Sequence, residues 1–360
     1  MTFEEGRAAF PVLSRLAYLN AGTFGPLAKV TVEAMQRHLR ADLERGRGGK
    51  EYFDEVLELR ERARVRLADI LGVSPEHVAL TSSTSRGCSI VVAGLGLGPE
   101  DEVVTTDSEH FGLLGPLQAS GARVRIARVA GRPAAEALET VLEQVGPLTR
   151  LVAVSHVFWR TGHVLPIEEL KSRVDVPLLV DGAQSVGAIP VDVAPFDFYT
   201  VSGQKWLCGP DATGALYVAS PEELPLAAPS YFSQESYEPD GTFLPKAGAA
   251  RFDSSWIAAG SLAGLLAALD VAPDWRFERA REAAGRCREA LLAADVEVVT
   301  EPGHATLVTF TARGDPEGVA ARALDQGVVI RDLPATPWLR ASCGYWTSDE
   351  DIERLVAAVV

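Results

Sequence analysis

Seven short apolar runs, His77–Thr81, Glu102–Thr106, Arg123–Arg128, Leu151–His156, Pro177–Val180, Phe198–Val201 and Ala215–Val218, alternate with stretches of helical spacing. Strands separated by crossover helices predict a mostly parallel, buried sheet and an α/β fold. Ahead of them, Val56, Leu59, Ala63, Leu67 and Ile70 recur at three- and four-residue steps. They predict a helix over about Tyr52–Leu71, stopped by Gly72 with Pro75 beyond. Earlier still, the glycine-rich turn Asn20-Ala21-Gly22-Thr23-Phe24-Gly25-Pro26 leads into a helical face of Val30, Met35, Leu39 and Leu43.

The rhythm breaks between about Pro221 and Phe252, where Pro, Ser, Tyr and Gly collect, and an irregular excursion is expected there. Past Ser261 it changes again, to helices at Leu262–Leu269 and Phe277–Ala294 and strands at Val296–Val299, Leu307–Thr311 and Val328–Arg331. A closing helix is expected at Ser348–Val359, with Thr347/Ser348 and Glu350 marking its start. The expected organisation is an arm over residues 1–20, a large sheet domain over 21–261 and a smaller α+β domain over 262–360, with a site between the two domains.

Length agrees with this division, since 360 residues at about 150 per domain make two domains. A formal charge of −15 without any Lys/Arg-rich block argues against a nucleic-acid or anionic-membrane surface and for a small-molecule ligand. Cys88, Cys208, Cys287 and Cys343 form no CxxC pair, so neither a zinc site nor a disulfide framework is expected. The acidic N-terminus and the lack of a long apolar window lead us to expect a cytoplasmic protein with no membrane partner.

The most informative stretch is Leu178-Leu179-Val180-Asp181-Gly182-Ala183-Gln184, followed by Ser202-Gly203-Gln204-Lys205-Trp206. An acid leaves the end of one buried strand, and a lysine follows the next, 24 positions on. Carboxyl ends of parallel strands are where ligands sit, so Asp181 and Lys205 are expected to face one another across a cofactor. A lysine there forms an imine with an aldehyde. Pyridoxal 5′-phosphate needs such a lysine, a carboxylate for its ring nitrogen and donors for its phosphate. Donors are on offer in the turn Thr81-Ser82-Ser83-Thr84-Ser85-Arg86-Gly87, which precedes the apolar helix Cys88–Leu95.

Taken in order, Glu109-His110, Asp181-Gly-Ala-Gln184, Ser202-x-x-Lys205-x-x-x-Gly-Pro and Leu339-Arg340-Ala-Ser342 give a chain that resembles, over most of its length, the class V aminotransferase superfamily. That superfamily includes cysteine desulfurases, selenocysteine lyase, isopenicillin N epimerase and ergothioneine-pathway C–S lyases. The resemblance implies a fold-type I transferase fold, pyridoxal phosphate as cofactor, an α-amino-acid substrate and a homodimer. It implies that Lys205 carries the cofactor, Asp181 pairs its ring nitrogen, Gln184 contacts its ring hydroxyl and His110 stacks on the ring. Ser83, Thr84, Ser85 and Ser202 are then phosphate ligands, and Arg340 grips the substrate carboxylate with its planar fork.

Departures from the family pattern sharpen this. Gln204 replaces the usual histidine before the lysine and can still donate to phosphate. Ser255-Trp256 stand where a glycine–threonine pair reaches a neighbouring subunit's phosphate, and Ser255 is the candidate substitute. Trp159 replaces a desulfurase asparagine and, with Phe24, is a candidate substrate-lining aromatic. The loop Asp332–Leu339 lacks the desulfurase cysteine, and Cys343 lies outside it.

Blander readings stand beside these: Ser83–Ser85 as a helix cap, His110 as a loop cap, Arg340 as a structural ion pair, and His156 and His163 as non-ligands with no metal. The leading expectation is C–S β-elimination from a cysteine-type substrate. Alternatives are an aminotransferase or epimerase, a desulfurase without the usual cysteine, and a non-catalytic cofactor-binding protein.

Overall fold

A computed structural model describes residues 1–360. Its strands are β1 Ala17–Tyr18, β2 Val78–Thr81, β3 Glu102–Thr106, β4 Arg123–Ala127, β5 Thr149–Ser155, β6 Leu178–Asp181, β7 Phe198–Ser202, β8 Gly214–Val218, β9 Gln234–Tyr237, β10 Phe243–Pro245, β11 Leu307–Thr311, β12 Val328–Val329, β13 Arg331–Asp332 and β14 Trp338–Ser342. The helices are α1 Phe3–Ala8, α2 Lys29–Arg45, α3 Gly49–Leu71, α4 Thr84–Gly94, α5 Phe111–Ala119, α6 Ala134–Leu142, α7 Ile167–Ser172, α8 Ala259–Val271, α9 Arg276–Ala293, α10 Pro316–Asp325 and α11 Asp349–Val359.

All seven expected strands join one sheet, in the order β2-β8-β7-β6-β5-β3-β4. Only β8 runs against its neighbours. The reason is its connection: residues 203–213 are too few for a crossover helix, so the chain must turn straight back. Lys205 rides on that tight return. Helices cover both faces, with α3 and α8 in one apolar cluster and α4 and α5 in another, so the central strands are buried on both sides.

A second sheet, β11-β14-β13, packs on α9, α10 and α11. The N-terminal β1 joins this region by pairing in parallel with β12, and Arg7 bonds to both Asp351 and the Trp346 carbonyl. Helix α8 packs instead with α2 and α3 in the first core. We therefore propose that the smaller unit begins after α8, at about residue 272 rather than 262, and takes in β1.

Several local expectations are corrected. Val296–Val299 makes only a bridge, Val298 to Phe310. Val328–Arg331 splits at Ile330, with β12 pairing β1 and β13 pairing β14. The excursion at 221–252 contains the hairpin β9–β10. Helix α4 starts at Thr84, earlier than the expected Cys88, because Ser83 caps it by accepting from the Arg86 N–H. At the last helix, Ser348 pairs in a capping box with Asp351, not Glu350.

Candidate active site

The carboxyl ends of β2, β3, β5, β6 and β7 bring the expected residues to one edge of the sheet. Asp181 ends β6 and is 3% exposed. Its Oδ1 accepts from the Ala183 N–H at 2.9 Å and from Thr200 Oγ1 at 3.3 Å, while Oδ2 accepts nothing. Gly182 allows this close approach, since a Cβ there would lie 2.2 Å from the Thr200 carbonyl oxygen. Lys205 forms no hydrogen bond or ion pair. Burial, opposed by Asp181 and aided by Arg340 and Arg331, pushes its amine down to about 8.

His110 caps α5, its Nδ1 accepting from the Gly112 N–H at 3.1 Å, which assigns its proton to Nε2. Burial, then the charge of Lys205, holds its pKa below the ordinary value, so the ring is neutral at pH 7. Trp159 lies edge-on to it with centroids 5.4 Å apart. The expectation for Gln184 needs amending: its Nε2 donates to the Gly22 carbonyl and its Oε1 accepts from Trp206 Nε1. Only the second amide hydrogen is left for a ring hydroxyl.

At the start of α4, the first N–H groups, at Thr84 and Ser85, have no helical partner. Ser83 Oγ accepts the Arg86 N–H as the cap, and its own hydroxyl proton stays free to donate. The N-termini of α4 and α5 converge so closely that a Cβ on Gly112 would lie 2.3 Å from Ser85 Oγ. Ser202 Oγ donates to Gln204 Oε1 at 2.8 Å, leaving Gln204 Nε2 as a free donor. Ser202 pairs with Gly214, where a Cβ would lie 3.5 Å from the Ser83 Cα, so these groups stand close to the start of α4.

Arg340 is 1% exposed on β14. Its Nη1 donates to the Trp159 carbonyl at 2.7 Å and its Nη2 to Thr23 Oγ1 at 3.2 Å, and Nε has no partner. No carboxylate neutralises it, which excludes the structural ion pair. Burial and the charge of Arg331 push its pKa down. Arg331 was not anticipated. It sits opposite Arg340 on β13, carries no ion pair, and is felt electrostatically by Lys205, His110 and Arg340. Thr23, which orients Arg340, was also missed.

Ser255 lies away from this cluster within the chain, whereas Phe24 sits between Thr23 and Gly25, whose N–H donates to the Gln204 carbonyl. Ser255 is exposed beside β2, where its neighbour Ser254 donates to the Leu80 carbonyl and Arg60 holds the Ser255 carbonyl. Phe24, half-exposed, lines an outer cleft of about 510 Å³ with Gln204, Tyr18 and Met35. All four cysteines are buried, and none stands on the 332–339 loop. No group of three or more His, Cys, Asp or Glu is arranged to hold a metal, and no helix is long and apolar enough to cross a membrane.

The leftover groups test the fit of pyridoxal phosphate. An unpaired lysine, a carboxylate oxygen without a donor, free helix N–H groups and the partnerless Trp159 Nε1 and Arg340 Nε are left over, and Lys205 feels the charges of both Asp181 and Arg340. They match an aldehyde, a ring nitrogen, a phosphate and a carboxylate in turn, and such a site on a doubly covered parallel sheet defines a fold-type I enzyme. The model of the aminotransferase class-V family matches residues 17–355, and the chain belongs to that family. It is a pyridoxal-phosphate-dependent enzyme.

The isopenicillin N epimerase of Streptomyces clavuligerus is 28% identical over 99% of this chain and 97% of its own. The cysteine desulfurase of Haloferax volcanii is 31% identical over 83% and 78%. Among solved structures, the cystine C–S lyase C-DES bound to its product cysteine persulfide superposes with a TM-score of 0.91. It is 29% identical, over 97% of this chain and 98% of that one. A second C-DES structure carries glycine covalently linked to the pyridoxal phosphate cofactor.

Proposed function

We propose that this enzyme cleaves the C–S bond of a cystine-type amino acid by β-elimination. The observation that carries the reading is the pair of arginines, Arg340 and Arg331, unneutralised and facing the lysine. One guanidinium suffices for an α-carboxylate, and the second suits a substrate with another carboxylate at its far end. The likeness to a cystine C–S lyase supports this, and the burial of every cysteine leaves no thiol for persulfide transfer to the protein.

Pyridoxal phosphate supplies an aldehyde for the substrate amine and an electron sink for charge at Cα. Lys205, whose lowered pKa leaves part of it neutral at pH 7, would be the residue that holds the cofactor through its aldehyde and yields it to the substrate amine. Asp181 Oδ2, which accepts no hydrogen bond within the protein, would hold the protonated ring nitrogen. Arg340 fixes the α-carboxylate and so turns the Cα–H bond toward the freed Lys205, which takes that proton. The Cβ–S bond then breaks with its electron pair leaving on sulfur, as a persulfide when the substrate is a disulfide. The remaining three-carbon enamine hydrolyses to pyruvate and ammonia. Ser83, Thr84, Ser85, Ser202 and Gln204 are assigned to the phosphate end.

The homodimer belongs to the same reading. Val30, Leu39 and Leu43 on α2, with Leu27 and Trp256, are exposed apolar groups suited to a second copy of the chain, which would bring Ser255 to the neighbouring site. The test is pyruvate release from cystine, cysteine and cysteine S-conjugates, with the visible spectrum recorded alongside. Pyruvate from cystine, with the cofactor band restored, is expected. Conversion to the pyridoxamine form would assign an aminotransferase instead. The full-length likeness to an epimerase makes a second reading specific: inverted substrate bearing solvent deuterium at Cα, without pyruvate, would establish it.

A further inference from the structure

Beneath the site lies a carboxyl group that the mechanism does not use. Glu109 is 4% exposed and meets no cation. Its Oε1 accepts from Thr106 Oγ1 at 2.7 Å, and its Oε2 accepts from the Ser155 N–H at 3.0 Å and from the Ser155 hydroxyl. Thr106 ends β3 and Ser155 ends β5, where it pairs directly with Asp181 on β6. The residue after Glu109 is His110. One side chain therefore ties the loop that carries the ring-stacking imidazole to the strand beside the ring-nitrogen acid.

We propose that Glu109 is a positioning residue, a buried clamp that fixes where His110 stands relative to Asp181 and so how the imidazole would stack on the cofactor. The proposal rests on the assignment of His110 and Asp181 to the cofactor. The groups facing Glu109 are Asp181 from β6, Cys88 from α4 and the hydroxyls of Thr106 and Ser155, none of them cationic. Burial pushes its pKa up to about 7. The clamp is thus held by hydrogen bonds rather than charge, and glutamine, isosteric and able to accept and donate, preserves most of it.

The experiment compares Glu109→Ala and Glu109→Gln holoenzymes with the parent, reading visible circular dichroism of the bound cofactor together with kcat and KM. Glu109→Ala is expected to change the visible dichroic band and lower kcat by about 10- to 100-fold with KM nearly unmoved, and Glu109→Gln to restore both. Should Glu109→Ala fail to fold, Thr106→Val with Ser155→Ala removes the hydroxyl donors and is expected to move the same band. Unchanged dichroism and kcat in a folded variant that binds cofactor overturn the clamp alone. If Lys205→Ala retains the native cofactor band, the assignment of the site falls first, and the clamp with it.

Discussion

Arg331 and Arg340 are direct cross-strand partners in the antiparallel β13–β14 pair, and neither guanidinium meets a carboxylate. Like charges placed opposite one another in a sheet are destabilising, so the protein maintains an arrangement that only anionic ligands relieve.

Their roles separate on substitution. Arg340→Ala is expected to raise KM for every amino-acid substrate. Arg331→Ala is expected to raise it by about 10- to 100-fold for cystine and little for a cysteine thioether lacking a second carboxylate. Equal effects on both substrates would remove Arg331 from the distal end.

The cofactor link is the simplest to test. Lys205→Ala holoenzyme is expected to lose the visible band of the lysine-bound cofactor and to show no turnover, while the thermal stability of the cofactor-free protein changes little, because the amine makes no hydrogen bond or ion pair to lose. A native spectrum from that variant would refute the assignment.

Away from the chemistry, Asp253 accepts from Arg60, from Arg64 twice and from the Leu80 N–H, all in the interior. Asp253→Ala leaves buried Arg60 without its anion and buried Arg64 with only the exposed Glu61, and is expected to cost about 3–5 kcal/mol in denaturant unfolding. The loss should also loosen the adjacent Ser255-Trp256 segment, read as faster proteolysis there.

Acid stability follows from His156. Its Nδ1 lies 2.7 Å from the Tyr199 hydroxyl, and burial lowers its pKa from 6.5 to about 4. In that interval the unfolded chain binds a proton that the folded one refuses. The contribution of His156 is therefore complete above pH 6.5 and falls by roughly 3 kcal/mol on the way to pH 4. His156→Asn should be less stable at pH 7 yet flatter over this range in urea titrations. Parallel pH curves for the two proteins would exclude it.

The central sheet was legible because its strands are buried on both faces and flanked by helices, so Leu178–Asp181 and Phe198–Ser202 stand out as apolar runs. Asp181 and Lys205 then fell at strand ends, where the topology concentrates function. Strand β14 was not legible, since the buried Arg340 interrupts its apolar pattern. Two-residue β13 is too short to carry a period, which hid Arg331. Helix α10 did carry a signal, Asp315 capping the Gly318 N–H with Pro316 at the first turn, behind a charged and mostly open face. The double use of Gln184 depends on Trp206 and Gly22, contacts between distant segments that no local pattern encodes.

The parallel pairing of β1 with β12 joins residues 17–18 to 328–329, and Thr23 waits for Arg340. On the ribosome, Asp181 and Lys205 emerge and can enter their sheet while Arg340, proposed to hold the substrate carboxylate, has yet to be translated. Competence to hold the cofactor can thus precede competence to hold an amino acid, and a nascent chain paused short of residue 328 would carry an early segment with no strand to join.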